Sequence, residues 1–234
     1  MIELTHVTKR YGKETVLKDV SVSFYPGAVY GLVGPNGSGK TTLMCCICGL
    51  VRPTLGCVKV NGKIIGKDAD FPQSAGIILE APDFLPQHSG MRNLLLPANS
   101  SRRANKKRAA EVMRLLDLDP QLKKPVGQYS LGMRQRLGIA RALMEDPEIL
   151  ILDEPFNGLD EQGMAKMHSL FQEWRIQGKI ILLASHRAQD IMKACDVVYE
   201  INAGVLKSAS RQAPSRPKEE MSALEGVLAL LADA

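Results

Sequence analysis

The chain has 234 residues, 45% hydrophobic and 24% charged, with a formal net charge of +5; that length suggests one to two domains and is ample for a buried core. The composition is that of an ordinary soluble globular protein, and no apolar run reaches the roughly 18 residues that a membrane span requires. The opening Met1-Ile2-Glu3-Leu4-Thr5-His6 lacks the charged-then-apolar order of a secretory signal, so a cytosolic location is expected.

Residues 2–33 read as strands. Val16, Leu17, Val20, Val22 and Phe24 alternate, Pro26-Gly27 turns the chain, and 29–33 is a short buried run. A helix is expected over 40–50, and strand-rich sequence resumes over 56–65 and 75–79. From 91 to 145 the pattern turns helical, with Ala110, Met113, Leu116 and Leu118 near helical spacing, followed by Ile139 and Leu143. A buried strand at 149–153 then leads to a helix near 161–177. There Met164, Met167, Phe171 and Trp174 recur at three and four residues, a stripe that reads as core and not as a cofactor box. A second apolar strand covers 179–184, and a helix starts near Ala188. Alternating strands and helices imply a mostly parallel α/β sheet, with a helical subdomain at about 88–147 inserted into it. The polar stretch 208–218 reads as a linker, and the Ala/Leu-rich 222–232 as a short helix that docks on the domain or on a partner. The expected division is therefore 1–207 and 208–234.

Cys45, Cys46 and Cys48 fall at offsets that spread their thiols around a helix, and Cys57 and Cys195 are isolated, so all five read as small buried thiols before any metal role. Basic charge is concentrated between residues 91 and 146, where 12 Lys/Arg face 5 Asp/Glu, notably at Arg102-Arg103 and Lys106-Lys107-Arg108. A solvated helix face accounts for this first, and proximity to an anionic membrane second. No aromatic side chains interleave with the cations, which argues against nucleic acid.

Two motifs carry chemistry. Gly34-Pro35-Asn36-Gly37-Ser38-Gly39-Lys40-Thr41 fits G-x-x-x-x-G-K-[ST] in full, follows an expected strand and opens an expected helix, with Thr42 next. The glycines let the backbone wrap phosphate, whose charge the amides and helix N-terminus meet. Lys40 is expected on the β/γ-phosphates and the Thr41 hydroxyl on Mg²⁺. Asp153 ends an apolar strand, where its carboxylate reaches toward the same Mg²⁺, and Glu154 follows as candidate general base.

Upstream of that strand lies Tyr129-Ser130-Leu131-Gly132-Met133-Arg134-Gln135-Arg136-Leu137. With the phosphate loop and the Asp153-Glu154 strand, this segment makes residues 2–207 resemble the ATP-binding cassette (ABC) ATPases. Their signature reads roughly Leu-Ser-Gly-Gly-Gln followed by Arg-Gln-Arg. The resemblance implies a P-loop NTPase fold with an N-terminal antiparallel β subdomain, a mostly parallel core sheet and an inserted α-helical subdomain. It makes Tyr11 the residue stacked on adenine, 34–42 the Walker A loop, and 149–154 the Walker B strand. Asn157-Gly158-Leu159-Asp160 is similar to the D-loop, and Ser185-His186 to the switch motif whose histidine contacts the γ-phosphate. It further implies that two cassettes, as a homodimer or with a related ATPase, close head-to-tail around two ATP molecules. Ser130 and Gly132 would then serve the partner's nucleotide. A separate integral membrane permease on the cytoplasmic face would complete a transporter. A soluble ABC ATPase outside transport is the alternative, but the long coiled-coil insert or tandem cassette usual in nucleic-acid members is missing. A P-loop small-molecule kinase leaves the signature and His186 unexplained.

The chain departs from the family pattern at two places. Tyr129, Leu131 and Met133 replace Leu, Gly and Gln in the signature, and Glu80 stands where members carry Gln. Together with the proline-rich 81–86, these departures look like the branch of bacitracin- and lantibiotic-type exporter or immunity ATPases. Glu80 keeps an oxygen for Mg²⁺ but adds negative charge near Asp153 and Glu154, and like charges raise carboxylate pKa. Glu80→Gln is therefore expected to weaken the dependence of ATP hydrolysis on Mg²⁺ and pH; unchanged profiles contradict this reading.

Overall fold

The computed structural model describes residues 1–79, 83–96 and 105–208. Two sheets organise it. Strands β1 (Ile2–Tyr11), β2 (Glu14–Phe24), β4 (Leu55–Val60) and β5 (Lys63–Ile64) form an antiparallel sheet in the order β2-β1-β4-β5. The second sheet contains β3 (Ala28–Val33), β6 (Ala75–Ile78), β7 (Ile149–Asp153), β8 (Ile180–Ser185), β9 (Val197–Asn202) and β10 (Val205–Ser208). Its order is β10-β9-β3-β8-β7-β6, and every pairing is parallel except that of the edge strand β10.

Strands β3, β7 and β8 are nearly continuous apolar runs because both faces of this sheet are covered. On one face, Ile149 and Ile151 join Tyr30, Leu182 and the inward side of α1 (Lys40–Ile47), which the antiparallel sheet covers. On the other, Leu150 and Leu152 meet α4 (Leu131–Ala142), α5 (Glu161–Ile176) and α6 (Ala188–Ala194). The expected stripe on α5 is core: Met167, Phe171 and Trp174 are buried, and Met164 packs against them.

Between β6 and β7 the chain forms α2 (Gly90–Leu95), α3 (Lys106–Leu115), a 3-10 turn at Val126–Gln128 and α4, which is the helical insertion expected from the pattern. Side-chain oxygens of Ser89, Asn105, Ser130 and Asp160 cap α2, α3, α4 and α5. Helix α1 differs. Gly39 precedes it at a φ of 111° with no side-chain cap, which leaves the first amides of α1 for a ligand.

Two features differ from the sequence reading. The helix expected over 40–50 ends at Ile47, because Gly49 takes a φ of 79° and turns the chain. The strand-rich stretch 56–65 is, as expected, extended, and it forms a hairpin turned at Asn61-Gly62, both at positive φ. The β9–β10 hairpin, turned at Ala203-Gly204, was not anticipated, and it carries β10 to Ser208, the first residue assigned to the linker. The expected helix at 222–232, the rest of 208–218, Glu80, and Arg102-Arg103 lie outside the described residues.

Cys46, Cys48 and Cys195 are buried, and removal from water pushes the Cys46 thiol up to about 11 and that of Cys48 up to about 12. These are protonated core side chains. Among the described residues no group of three or more His, Cys, Asp or Glu is placed to hold a metal. No described helix is long and apolar enough to cross a membrane.

Candidate nucleotide site

Parallel strands deliver their C-terminal ends to one edge of a sheet, and the connections leaving that edge can converge. Here β3, β8 and β7 end side by side above a cleft of about 630 Å³, lined by the phosphate loop and by Asp153, Glu154 and Asn157. The loop leaves β3 after Val33 and re-enters helix at Lys40. Gly34 cannot carry a Cβ, which would stand 2.1 Å from the carbonyl oxygen of Ile201. The Lys40 ammonium folds back onto its own loop, donating to the carbonyls of Gly34 at 2.7 Å and Pro35 at 3.0 Å. The Thr41 hydroxyl crosses the end of β8 to donate to Asp153 Oδ2 at 2.7 Å.

Glu154 is the most constrained residue in the cleft. Its φ is 48°, a left-handed conformation rarely adopted by a non-glycine residue. Its N–H donates to the Ala184 carbonyl at 2.8 Å, and its own carbonyl accepts from Asn157 N at 3.1 Å and Gln135 Nε2 at 3.2 Å. The side chain is equally occupied. Oε1 accepts from His186 N at 2.9 Å and lies 2.7 Å from His186 Nδ1, while Oε2 accepts from Ser185 Oγ at 2.8 Å. An ionised carboxylate only accepts, so Nδ1 carries the proton in this arrangement. Burial pushes the Glu154 carboxyl up. The His186 ring, the Ser185 hydroxyl and the His186 N–H outweigh it and hold the group below the usual carboxylate range.

The signature residues meet the turn after Glu154 within the same chain. Ser130 caps α4 by accepting from Met133 N at 3.2 Å. A Cβ on Gly132 would stand 2.5 Å from the Gly158 carbonyl oxygen, and Leu131 lies directly over Gly158. Arg136 pairs with Asp160 at 3.3 Å.

Of the residues picked out from sequence, the structure gathers Asn36, Gly37, Gly39, Lys40, Thr41, Thr42, Asp153 and Glu154 around the cleft, with His186 joined through Glu154. Ser130, Gly132, Asp160 and Tyr11 lie off its lining. Tyr11 is exposed at the tip of the β1–β2 hairpin with the Lys9 ammonium 4.8 Å from its ring centre, and it is its partner across the ladder, Glu14, that lines the cleft with Val16. Leu131, Arg134, Gln135 and Asn157 also line the cleft, and Ser185 holds Glu154; none of these received a role from sequence. Unlike Glu14 and Val16, these residues sit inside motifs already quoted, but nothing local marks Gln135, Asn157 and Ser185 as partners of Glu154.

A family model for the ABC transporter matches residues 17–157. The chain belongs to the ABC transporter family. It is 38% identical over 211 residues to the ABC transporter ATP-binding protein YybJ of Bacillus subtilis (strain 168), covering 90% of this chain and 97% of that protein. It is also 38% identical over 211 residues to the bacitracin transport ATP-binding protein BcrA of Bacillus licheniformis, covering 88% of this chain and 68% of BcrA. The dimeric structure of a bacterial ABC transporter cassette superposes with a TM-score of 0.77 at 25% identity, over 91% of this chain and all of that one. The chain is thus an ABC ATPase, the ATP-binding subunit of a transporter.

In this ABC ATPase the bonds to ionised Glu154 also contribute to stability. The folded carboxyl titrates below the unfolded one, so this contribution is present above the ordinary glutamate pKa and is lost as pH falls through the folded value. Ser185→Ala is expected to cost about 2 kcal/mol near neutral pH, the scale of a hydrogen bond to a charged group. In urea titrations that gap should shrink progressively below about pH 4.3, the ordinary glutamate value. A gap independent of pH contradicts the assignment.

Proposed function

We propose that this ABC ATPase powers export through a separate membrane permease, working as a head-to-tail dimer on the cytoplasmic face of the membrane. The observation that carries the catalytic part is the junction of Thr41, Asp153, Glu154 and His186 at the edge of one cleft. Likeness to BcrA, together with the departures at Leu131, Met133 and Glu80, supports a substrate of the bacitracin or lantibiotic type.

Glycine-rich phosphate-loop amides, Pro35 and the already bonded Ser38 aside, and the uncapped start of α1 supply donors for the phosphates of ATP. Lys40 exchanges its two carbonyl partners for phosphate oxygens, a stronger, charge-assisted pairing. The Thr41 hydroxyl and Asp153 carboxylate are hard oxygen donors already in contact, which suits Mg²⁺, a cation that takes one or two carboxylates and shares its remaining positions with phosphate and water. Those two residues would hold it, with Glu80 as a further candidate, and it would neutralise charge between the β- and γ-phosphates.

Glu154 acts as the general base for the attacking water. Its low pKa keeps it ionised, and both acceptor positions of Oε1 are taken by His186, so that oxygen meets water only when one of those bonds is released. His186 is the partner able to leave: its side chain is 48% exposed, whereas Ser185 is buried. Moving the His186 ring to the γ-phosphate frees Oε1 for water. Ser130 and Gly132 serve the partner's nucleotide, Tyr11 stacks on adenine, and Asp160 lies at the seam between the two cassettes.

A tagged Glu154→Gln chain, deprived of the base that reopens the dimer, tests this reading in detergent-solubilised membranes. Purified with ATP, it is expected as two copies of the ATPase with a polypeptide of several membrane spans. A monomer without such a partner at saturating ATP overturns the proposal.

A further inference from the structure

Glu154 is held in its left-handed conformation by bonds from two sources. Its N–H contact to Ala184 and its Asn157 contact arise within the sheet edge and its own turn. The third, from Gln135 Nε2 to the Glu154 carbonyl, comes from α4, the helix that begins at Ser130 and Gly132. Gln135 is 6% exposed and lies one helical turn beyond the signature residues. A carbonyl oxygen only accepts, so the amide nitrogen of Gln135 must face it.

We infer that Gln135 is a positioning residue that couples nucleotide engagement at the signature to the orientation of Glu154 in the same chain. The inference rests on the proposed dimer, in which Ser130 and Gly132 meet the partner's ATP. Helix α4 moves as a rigid rod, and its first two turns are fastened to the catalytic turn at three places. Gly132 abuts Gly158, Arg136 pairs with Asp160, and Gln135 holds the peptide of Glu154 itself. Engagement of the partner's nucleotide at the N-terminus of α4 therefore reaches the Glu154 backbone through one side-chain amide. The two ATP sites of the dimer fire together because each base is set by the helix that reads the opposite nucleotide. Gln135 touches no reacting atom. Its effect is on where the carboxylate points, and small misplacements of a catalytic group are costly.

Gln135→Met keeps the bulk but removes the donor, while Asn157 N still satisfies the Glu154 carbonyl, so the fold is not left with an orphaned acceptor. With the purified full chain, kcat is expected to fall about tenfold with KM for ATP changed less than about twofold. The Hill coefficient for ATP should drop from above one in the wild type to about 1. Gln135→Glu, which keeps size and polarity but cannot donate when ionised, should show the same loss. Full kcat in either folded variant, an uncooperative wild type, or unaltered cooperativity in the variants overturns the coupling. ATP-dependent dimerisation of Glu154→Gln is followed alongside. A chain that stays monomeric overturns the dimer reading itself, whereas dimerisation with unaffected Gln135 variants overturns this inference alone.

Discussion

The hydrogen bond from Thr41 to Asp153 joins the two halves of the site, and the rest of the geometry depends on the sheet that makes it possible. Thr41 and Asp153 are 112 residues apart in sequence, and the strands that deliver them, β3 and β7, are separated by β8. They meet because all three strands run parallel and end at one edge, and because the phosphate loop bends α1 back across that edge. Since β8 runs between them, the residues at its own end, Ser185 and His186, fall within reach of Glu154. An antiparallel central pair would send one of these groups to the far side of the molecule.

The chain satisfies its reactive groups internally. Lys40 rests on carbonyls of its own loop, Thr41 on Asp153, and Glu154 on Ser185 and His186. In the proposed mechanism Lys40 exchanges carbonyls for phosphate, a stronger, charge-assisted partner, and Glu154 exchanges the imidazole for the attacking water. The low pKa of Glu154 follows from this arrangement. The carboxylate is held ionised with Oε1 occupied by His186, and in the proposed mechanism departure of that ring admits the attacking water.

Much of this was legible in the sequence, for local reasons. The phosphate loop is contiguous, the strand before Asp153 is an unbroken apolar run, and the α5 stripe repeats at helical spacing, so each announces itself within a few residues. The β9–β10 hairpin also carried a local signal, Val197-Val198-Tyr199 followed by Asn202-Ala203-Gly204, but one too short to stand out beside the preceding helix. What the sequence did not reveal is contact geometry between distant segments. That Ser185 and Gln135 both hold Glu154 depends on the order of strands in the sheet and on where α4 docks, neither of which is written in spacing. Tyr11 shows the limit from the other side: the motif position is clear, yet its ring stands at the exposed end of a hairpin while Val16 and Glu14 line the cleft.

In the proposed mechanism the Thr41–Asp153 junction seats cation and nucleotide together. The decisive measurement is calorimetric titration of ATP into the wild-type chain and into Asp153→Asn, each with and without Mg²⁺. Mg²⁺ is expected to tighten ATP binding by roughly tenfold or more in the wild type and to leave Asp153→Asn nearly unchanged. An equal gain from Mg²⁺ in both proteins rules this seat out.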